Sequence, residues 1–428
     1  MESDPYASRS PYSVGVSDFH AGINYERMRN ERLRKTQASL KRHNMAAAIF
    51  FTMENMRYAT AVRGHPFASG LSYALVFADH DPVLFETGSM IKQQRIYCPW
   101  LNPENVRVAY CWLDSICGAE GAAEQAKKFA NAIVEALKEN GVYGARVGID
   151  ALDEVGRSAL REAGVELVGV KPAIMEARRC KTPDEVACIE TGVAISNAGY
   201  MAFVDHFRAG MRERDGGAIF HDAMMRAGAE ACGGGVRSKY NTFDVYHEVN
   251  TDRIVDPGDL VTVNACSTKF AGYRLCIYRS FIVGRKPNQK ERDWYKRCFD
   301  RVYGVIEAIK PGATTAAAAK ALLPAKTWGY DEEEPLLVAE VGHGDRIHLR
   351  GAGDQPRLVV RPSADFPARD GDRGRVPGGR MGLRRSPPRG DGASHRKRAP
   401  DSQQLAGRGN RPGRRHPRLG RLPRRIEL

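Results

Sequence analysis

The sequence has no apolar run near the ~20 residues that a bilayer-crossing helix requires, which argues against a membrane-spanning reading. Residues 1 to 20, rich in Ser, Pro and Tyr, read as a mobile leader; they have no basic start followed by an apolar stretch, so no signal peptide is expected there and the expected compartment is the cytoplasm. Nine cysteines are scattered without one C-x-x-C pair. That odd set fits a reducing compartment better than a disulfide scaffold or a zinc module. A charge excess is also missing from most of the chain. The formal net charge is +14, but residues 351–428 hold 20 Lys and Arg against 7 Asp and Glu, and the first 350 residues carry 45 against 44. The body is therefore electrostatically ordinary. The basic tail has no aromatic residue beyond Phe366 on which a base could stack, so any nucleic-acid contact is expected to be non-specific and through charge alone.

What is present reads as two domains, which 428 residues suffice to build. Tyr25 to His43 is basic with a helical apolar period. Strand-like runs follow at Ala46–Phe51, Tyr73–Ala78 and Pro82–Glu86, then a helix around Ala122–Glu139. Val147–Asp150, a helix from Asp153 to Ala163, and Val165–Val170 complete an alternation that predicts a compact α/β domain over residues 21–174. Met175–Lys181 reads as a linker. Thr182-Pro183-Asp184-Glu185 then carries a cap, a first-turn proline and a capping-box partner, predicting a long helix to about Phe207. Further helices are expected at Ala218–Ala231, Gln289–Ile309 and Ala316–Leu323. Between them, Leu260–Val263 and Leu275–Val283 read as strands.

The stretch Val245–Gly284 carries the chemistry. It holds His247, the turn Pro257-Gly258-Asp259-Leu260, Asn264, Gly272-Tyr273 and Arg279-Ser280-Phe281. This order resembles the creatinase, aminopeptidase P and methionine aminopeptidase superfamily, the pita-bread fold. The resemblance to creatinase is the closer one, through His247 six residues before Arg253, Ile254-Val255, Asn264 and Ala271-Gly272-Tyr273. The fold it implies is α/β (α+β): a small amino-terminal creatinase-type domain, then a pita-bread catalytic domain over residues 175–350, truncated at its carboxyl end. In the metallopeptidase members two aspartates ligate a pair of metal ions. Asn264 and Cys276 stand in their places here, and neither an amide nor a thiol replaces a carboxylate for a hard divalent ion. No cofactor is therefore expected, the alternative being divalent Mn, Fe or Zn.

The resemblance implies a hydrolase that cleaves a C–N bond in a small substrate, with His247 as acid/base. A strand-end histidine bonded to backbone is the plain alternative. Val341-Gly342-His343-Gly344 resembles the family's Gly-His-Gly element, making His343 a second catalytic candidate, and His348 follows as a substrate contact. Arg274 and Tyr278 stand where creatinase holds groups around its guanidinium ligand. A cation there disfavours creatine and suits a carboxylate-bearing substrate. Phe67 stands where creatinase sends an aromatic across a homodimer interface, and is otherwise a core aromatic. Cys266 and Cys276 could be thiol nucleophiles, but neither has an adjacent base, so they read as buried strand cysteines. Two other functions of the same fold stay open: a metal-dependent Xaa-Pro aminopeptidase or dimethylsulfoniopropionate lyase-like enzyme, and an inactive binding protein.

Residues 351–428 hold 19 Arg, 13 Gly and 10 Pro and no apolar periodicity, so they cannot bury a core. The family places two glutamate-bearing strands here. Codons for 370–376 and 384–392 permit Met-Val-Ile-Ala-Val-Glu and Ala-Gly-Val-Arg-Leu-Glu-Glu-Met in a shifted frame, so the expectation is an out-of-frame translation beginning near residue 350. A genuine disordered basic extension is the alternative. The gene's nucleotide sequence across codon 350 decides between them, since unrelated residues or stops in the shifted frame would end the first.

Overall fold

The computed structural model describes residues 22–63, 71–243, 250–266, 268–310 and 313. The leader, Phe67, His247, His343, His348, the helix expected at Ala316–Leu323 and the whole tail lie outside them.

The first domain is built on one mixed sheet. Helix α1 (Tyr25–Arg42) starts where the Asn24 side chain accepts the Arg27 N–H, and leads into β1 (Ala47–Phe50) and helix α2 (Met53–Thr60). Strands β2 (Ser72–Phe77) and β3 (Val83–Glu86), helix α3 (Ile91–Tyr97), strand β4 (Val106–Val108) and helix α4 (Asp114–Glu139) follow. Strand β5 (Val147–Ile149), helix α5 (Glu154–Glu162) and strand β6 (Leu167–Gly169) close the unit. The strand order is β4-β3-β2-β1-β5-β6; β1 pairs antiparallel with β2 and parallel with β5. Both faces are buried, which is why the central strands read as continuous apolar runs. Ala48 and Phe50 enter one cluster with Met28 and Tyr58, whereas Ala47, Ile49 and Phe51 enter the other with Phe129 and Ile133. Asp150 follows β5 and gathers the N–H groups of Phe51 and Thr52 with the side chains of Thr52 and Asn55. Burial raises its pKa, and these donors oppose that rise.

The expected linker is partly a helix. Helix α6 (Lys171–Arg179) covers all of it but Cys180 and Lys181, because Ala173, Ile174 and Ala177 are buried and Ser39 of α1 donates to the Ala173 carbonyl. Only Cys180 to Thr182 separates it from helix α7 (Pro183–His206), whose Thr182/Glu185 capping box forms as read from the sequence. Helix α8 (Glu213–Arg226) starts five residues before the expected Ala218. The fully buried Glu213 carboxylate fixes that start by accepting from Ser238, Asn241 and Thr251, partners supplied by distant chain. Strands β7 (Val236–Ser238) and β8 (Leu260–Asn264) come next, then β9 (Thr268–Phe270), β10 (Tyr273–Leu275) and β11 (Tyr278–Ile282). The single strand expected over Leu275–Val283 is thus two, because the chain changes partners: β10 pairs with β9, and β11 pairs with β8 in the sheet β11-β8-β7. Helix α9 (Gln289–Ala308) begins at an Asn288/Glu291 capping box.

The two halves share one core and several charged ties. Asp184 accepts from the Asn24 N–H and, at 2.7 and 2.9 Å, from the Arg27 guanidinium. Arg57 of α2 grips Glu230 at 2.8 and 2.7 Å. Glu185 bonds Lys35 and also accepts the Tyr273 hydroxyl at 2.6 Å, where both residues are buried. A hydrogen bond to a buried charge is worth about 1.5–3 kcal/mol. Tyr273→Phe is therefore expected to lower stability by about that amount, read as a shift in the urea midpoint at constant slope. An unshifted midpoint would show the bond to be idle.

Candidate active site

Strand alternation divides the sheet β11-β8-β7 into two unlike faces. Val236, Val263, Val261 and Phe281 lie on one of them together with Ser238 and Arg279; the valines are fully buried, and the Phe281 ring lies 5.4 Å from Phe203 of α7. The other face carries two polar rows beside the pair Leu260 and Ile282. Its first row is Arg237 opposite Thr262 opposite Ser280, and its second is Asn264 opposite Tyr278. The Ala265 N–H donates to the Ile277 carbonyl at 2.9 Å, so the two segments stay tied one residue past the strands. There the chain turns, the Ala265 carbonyl accepting the Thr268 N–H, and the sulfurs of Cys266 and Cys276 come within 3.1 Å of each other.

The groups on this face are closely held. The Asn264 amide oxygen accepts the Cys266 N–H at 2.5 Å, and the Asn264 main chain exchanges both of its hydrogen bonds with Gly235. Burial, followed by the neighbouring Cys276 and Cys266 to which its phenol is hydrogen-bonded, pushes the Tyr278 pKa far above the ordinary value. Tyr278 therefore stays a hydrogen-bond donor across the physiological range. Thr262 Oγ1 and Ser280 Oγ are buried with no hydrogen-bond partner among the described residues. A buried hydroxyl left without any partner costs about 1–3 kcal/mol. No residue in these rows is acidic.

The sequence-stated candidates divide across this geometry. Asn264, Cys276 and Tyr278 meet on the polar face. Arg274 lies on the hairpin β9-β10, opposite Lys269 and outside that sheet. Burial, then Arg57 and other neighbours including Arg274, pulls the Lys269 pKa down, so cations gather on this hairpin. His247, His343, His348 and Phe67 fall outside the described residues. The turn of the motif is structural: Asp259 accepts the Asp256 N–H at 2.9 Å and the Arg253 guanidinium at 2.6 Å. Arg279 lies over the Tyr200 ring at 5.5 Å, a packing contact.

Sequence reading passed over Arg237, Thr262 and Ser280. The signal for Thr262 was available, since Leu260–Asn264 alternates apolar and polar residues instead of running apolar throughout. His221 of α8 was also missed. Burial holds its pKa below the ordinary value despite hydrogen bonds to the Gly234 and Gly233 backbone, and those glycines precede the residue paired with Asn264.

A mixed-sheet α/β domain joined to a second domain built on the antiparallel sheet β11-β8-β7, with its polar rows gathered on one face, defines the class of protein. Residues 32–180 match the Creatinase/Prolidase N-terminal domain, and residues 187–362 match Metallopeptidase family M24. The chain belongs to the creatinase and aminopeptidase P superfamily and has its pita-bread architecture. It is 28% identical to the Xaa-Pro dipeptidase of Pyrococcus furiosus over 202 residues, 45% of this chain and 54% of that one. It is 27% identical to the creatinase of a Bacillus species over 243 residues, 52% and 58% of the two chains. The matched stretch thus spans little more than half the length of these curated relatives. Among solved structures, an Xaa-Pro dipeptidase from Bacillus anthracis superposes with a TM-score of 0.58 at 18% identity, covering 78% of this chain and 86% of its own. Prolidase from Pyrococcus horikoshii gives 0.57 at 20%, covering 79% and 88%. No helix among the described residues is long and apolar enough to cross a membrane.

Proposed function

We propose that this chain is a hydrolase that cleaves a C–N bond in a small substrate without a metal ion, using His247 as acid/base. The observation that carries the reading is the make-up of the polar face: an amide at Asn264 and a thiol at Cys276, where metallopeptidase relatives use carboxylates. These residues do not fit a pair of hard divalent ions, which require charged oxygen donors. The Asn264 oxygen is moreover committed to a backbone N–H. His247 takes a proton from water and returns it to the leaving nitrogen. Tyr278, held protonated, donates to the carbonyl oxygen on which negative charge develops, with His343 as the second contact there. Arg274 and His348 receive a carboxylate on the substrate. A homodimer in the cytoplasm completes the reading, with Phe67 at the dimer interface.

The test is turnover of a panel of Xaa-Pro dipeptides and small amides by the full-length chain after exhaustive chelation. Hydrolysis that survives chelation and falls by about 10²–10⁴ in His247→Ala supports the proposal. Loss of activity on chelation, restored by Mn, Fe or Zn at a stoichiometric site, would replace it with the metal-dependent peptidase. Unchanged turnover in His247→Ala would remove the acid/base assignment.

A further inference from the structure

We propose that Cys266 and Cys276 form a reversible thiol–disulfide modification site on the polar face of the catalytic sheet. Three observations on the page carry it. The two sulfurs are 3.1 Å apart. The Ala265 N–H donates to the Ile277 carbonyl at 2.9 Å, which ties together the two segments that carry the cysteines, one residue from each. Closing the sulfurs from 3.1 Å to ~2.05 Å is a shift of about 1 Å, within reach of side-chain rotation. Both thiols are only partly buried, unlike Cys98, Cys188 and Cys298.

The co-reactant is a low-molecular-weight disulfide such as oxidised glutathione. The thiolate of one cysteine attacks a sulfur of the reagent, and the first small thiol leaves with the electron pair of the broken bond. The second cysteine thiolate attacks the mixed disulfide and displaces the other small thiol. Two protein thiols are oxidised to one disulfide, one reagent disulfide is reduced to two thiols, and the protons lost by the cysteines end on those products. The closed bond staples the hairpin β9-β10 at its base. It also replaces the two thiols beside the Tyr278 phenol with a group that has no S–H to offer.

The site does not depend on the hydrolase reading, so its test reads thiols and not turnover. The full-length chain is equilibrated with oxidised glutathione, quenched with an alkylating reagent and digested with trypsin. Cleavage after Arg253, Lys269, Arg274 and Arg279 releases the two cysteines on separate peptides, 254–269 and 275–279. The expected product is those peptides joined, two hydrogens lighter than their sum and separated again by dithiothreitol. In Cys266→Ser, and separately in Cys276→Ser, the joined product disappears and the remaining cysteine carries glutathione. If both cysteines are recovered alkylated under conditions that convert the exposed Cys180 to its mixed disulfide, the proposal is overturned. Recovery of both as separate glutathione adducts in the unsubstituted chain overturns it equally.

Discussion

Gly234→Ala is expected to destabilise the chain by about 3 kcal/mol or more and to disrupt the candidate site directly. Gly234 sits at φ +94°, a backbone conformation that costs a residue with a Cβ ~1–2 kcal/mol. A Cβ there would lie 1.9 Å from the carbonyl oxygen of Asn264 and 2.8 Å from its carbonyl carbon. Those are backbone atoms and cannot rotate aside. The same carbonyl accepts the Gly235 N–H at 3.1 Å, and the Asn264 N–H donates back to Gly235 at 2.9 Å. Relieving the clash therefore opens the β7-β8 ladder at the rung that places Asn264 opposite Tyr278. The control is Gly141→Ala: φ is +67°, but nothing lies within 4 Å of the added atom, so only the ~1–2 kcal/mol backbone cost applies. Thermal or urea unfolding of the two variants separates steric from conformational loss. Equal shifts would show that the Asn264 carbonyl yields freely.

Arg57→Ala is the second substitution with a large expected effect, and its signature is a changed response to acid. Burial alone would raise the Glu230 pKa. The hydrogen bonds and charge of Arg57, the charge of Arg63 and the Gly272 N–H overcome that and bring it to about 2 from an ordinary 4.5. A carboxylate whose folded pKa is depressed stabilises the folded state fully above its unfolded pKa. That contribution is lost as pH falls through the folded value. The window here is pH 4.5 down to about 2, and the amount at stake is about 3 kcal/mol. The Arg57 and Glu230 side chains are only 13% and 19% exposed, so solvent screens the pair weakly. Removing one partner of such a pair costs about 3–5 kcal/mol, because the other charge stays behind. Arg57→Ala should lower the unfolding midpoint at pH 7 and flatten the loss of stability between pH 4.5 and 2. A variant that retains the parent's acid slope would show that Arg63 and the Gly272 N–H hold the carboxylate without help.

The chain's local chemistry was legible in the sequence where the partners are close neighbours. Thr182 and Glu185 predict a capping box because the two residues satisfy each other's backbone donors within one turn, and the structure forms it. Five of the six strands of the first domain and the split of charge between body and tail were legible too, since burial on both sheet faces imposes apolar runs and composition is additive; β4 (Val106–Val108), interrupted by Arg107, gave no such run. That Asn264 and Cys276 replace metal-binding carboxylates follows from the family resemblance of the motif that carries them.

Tertiary structure decided what depends on pairing between distant segments. The start of α8 is set by Ser238, Asn241 and Thr251 on the Glu213 carboxylate, none of them within helical reach of it. The break between β10 and β11 follows from a change of sheet partner that no property of residues 275–283 announces. The meeting of Cys266 with Cys276 is a matter of register, and a slip of one residue would send their side chains to opposite faces. Sequence therefore fixed the residue types available for chemistry, because side-chain chemistry travels with each residue. Only the folded ladder placed Asn264, Tyr278 and the two thiols on one face, because register is an agreement between strands and belongs to neither strand alone.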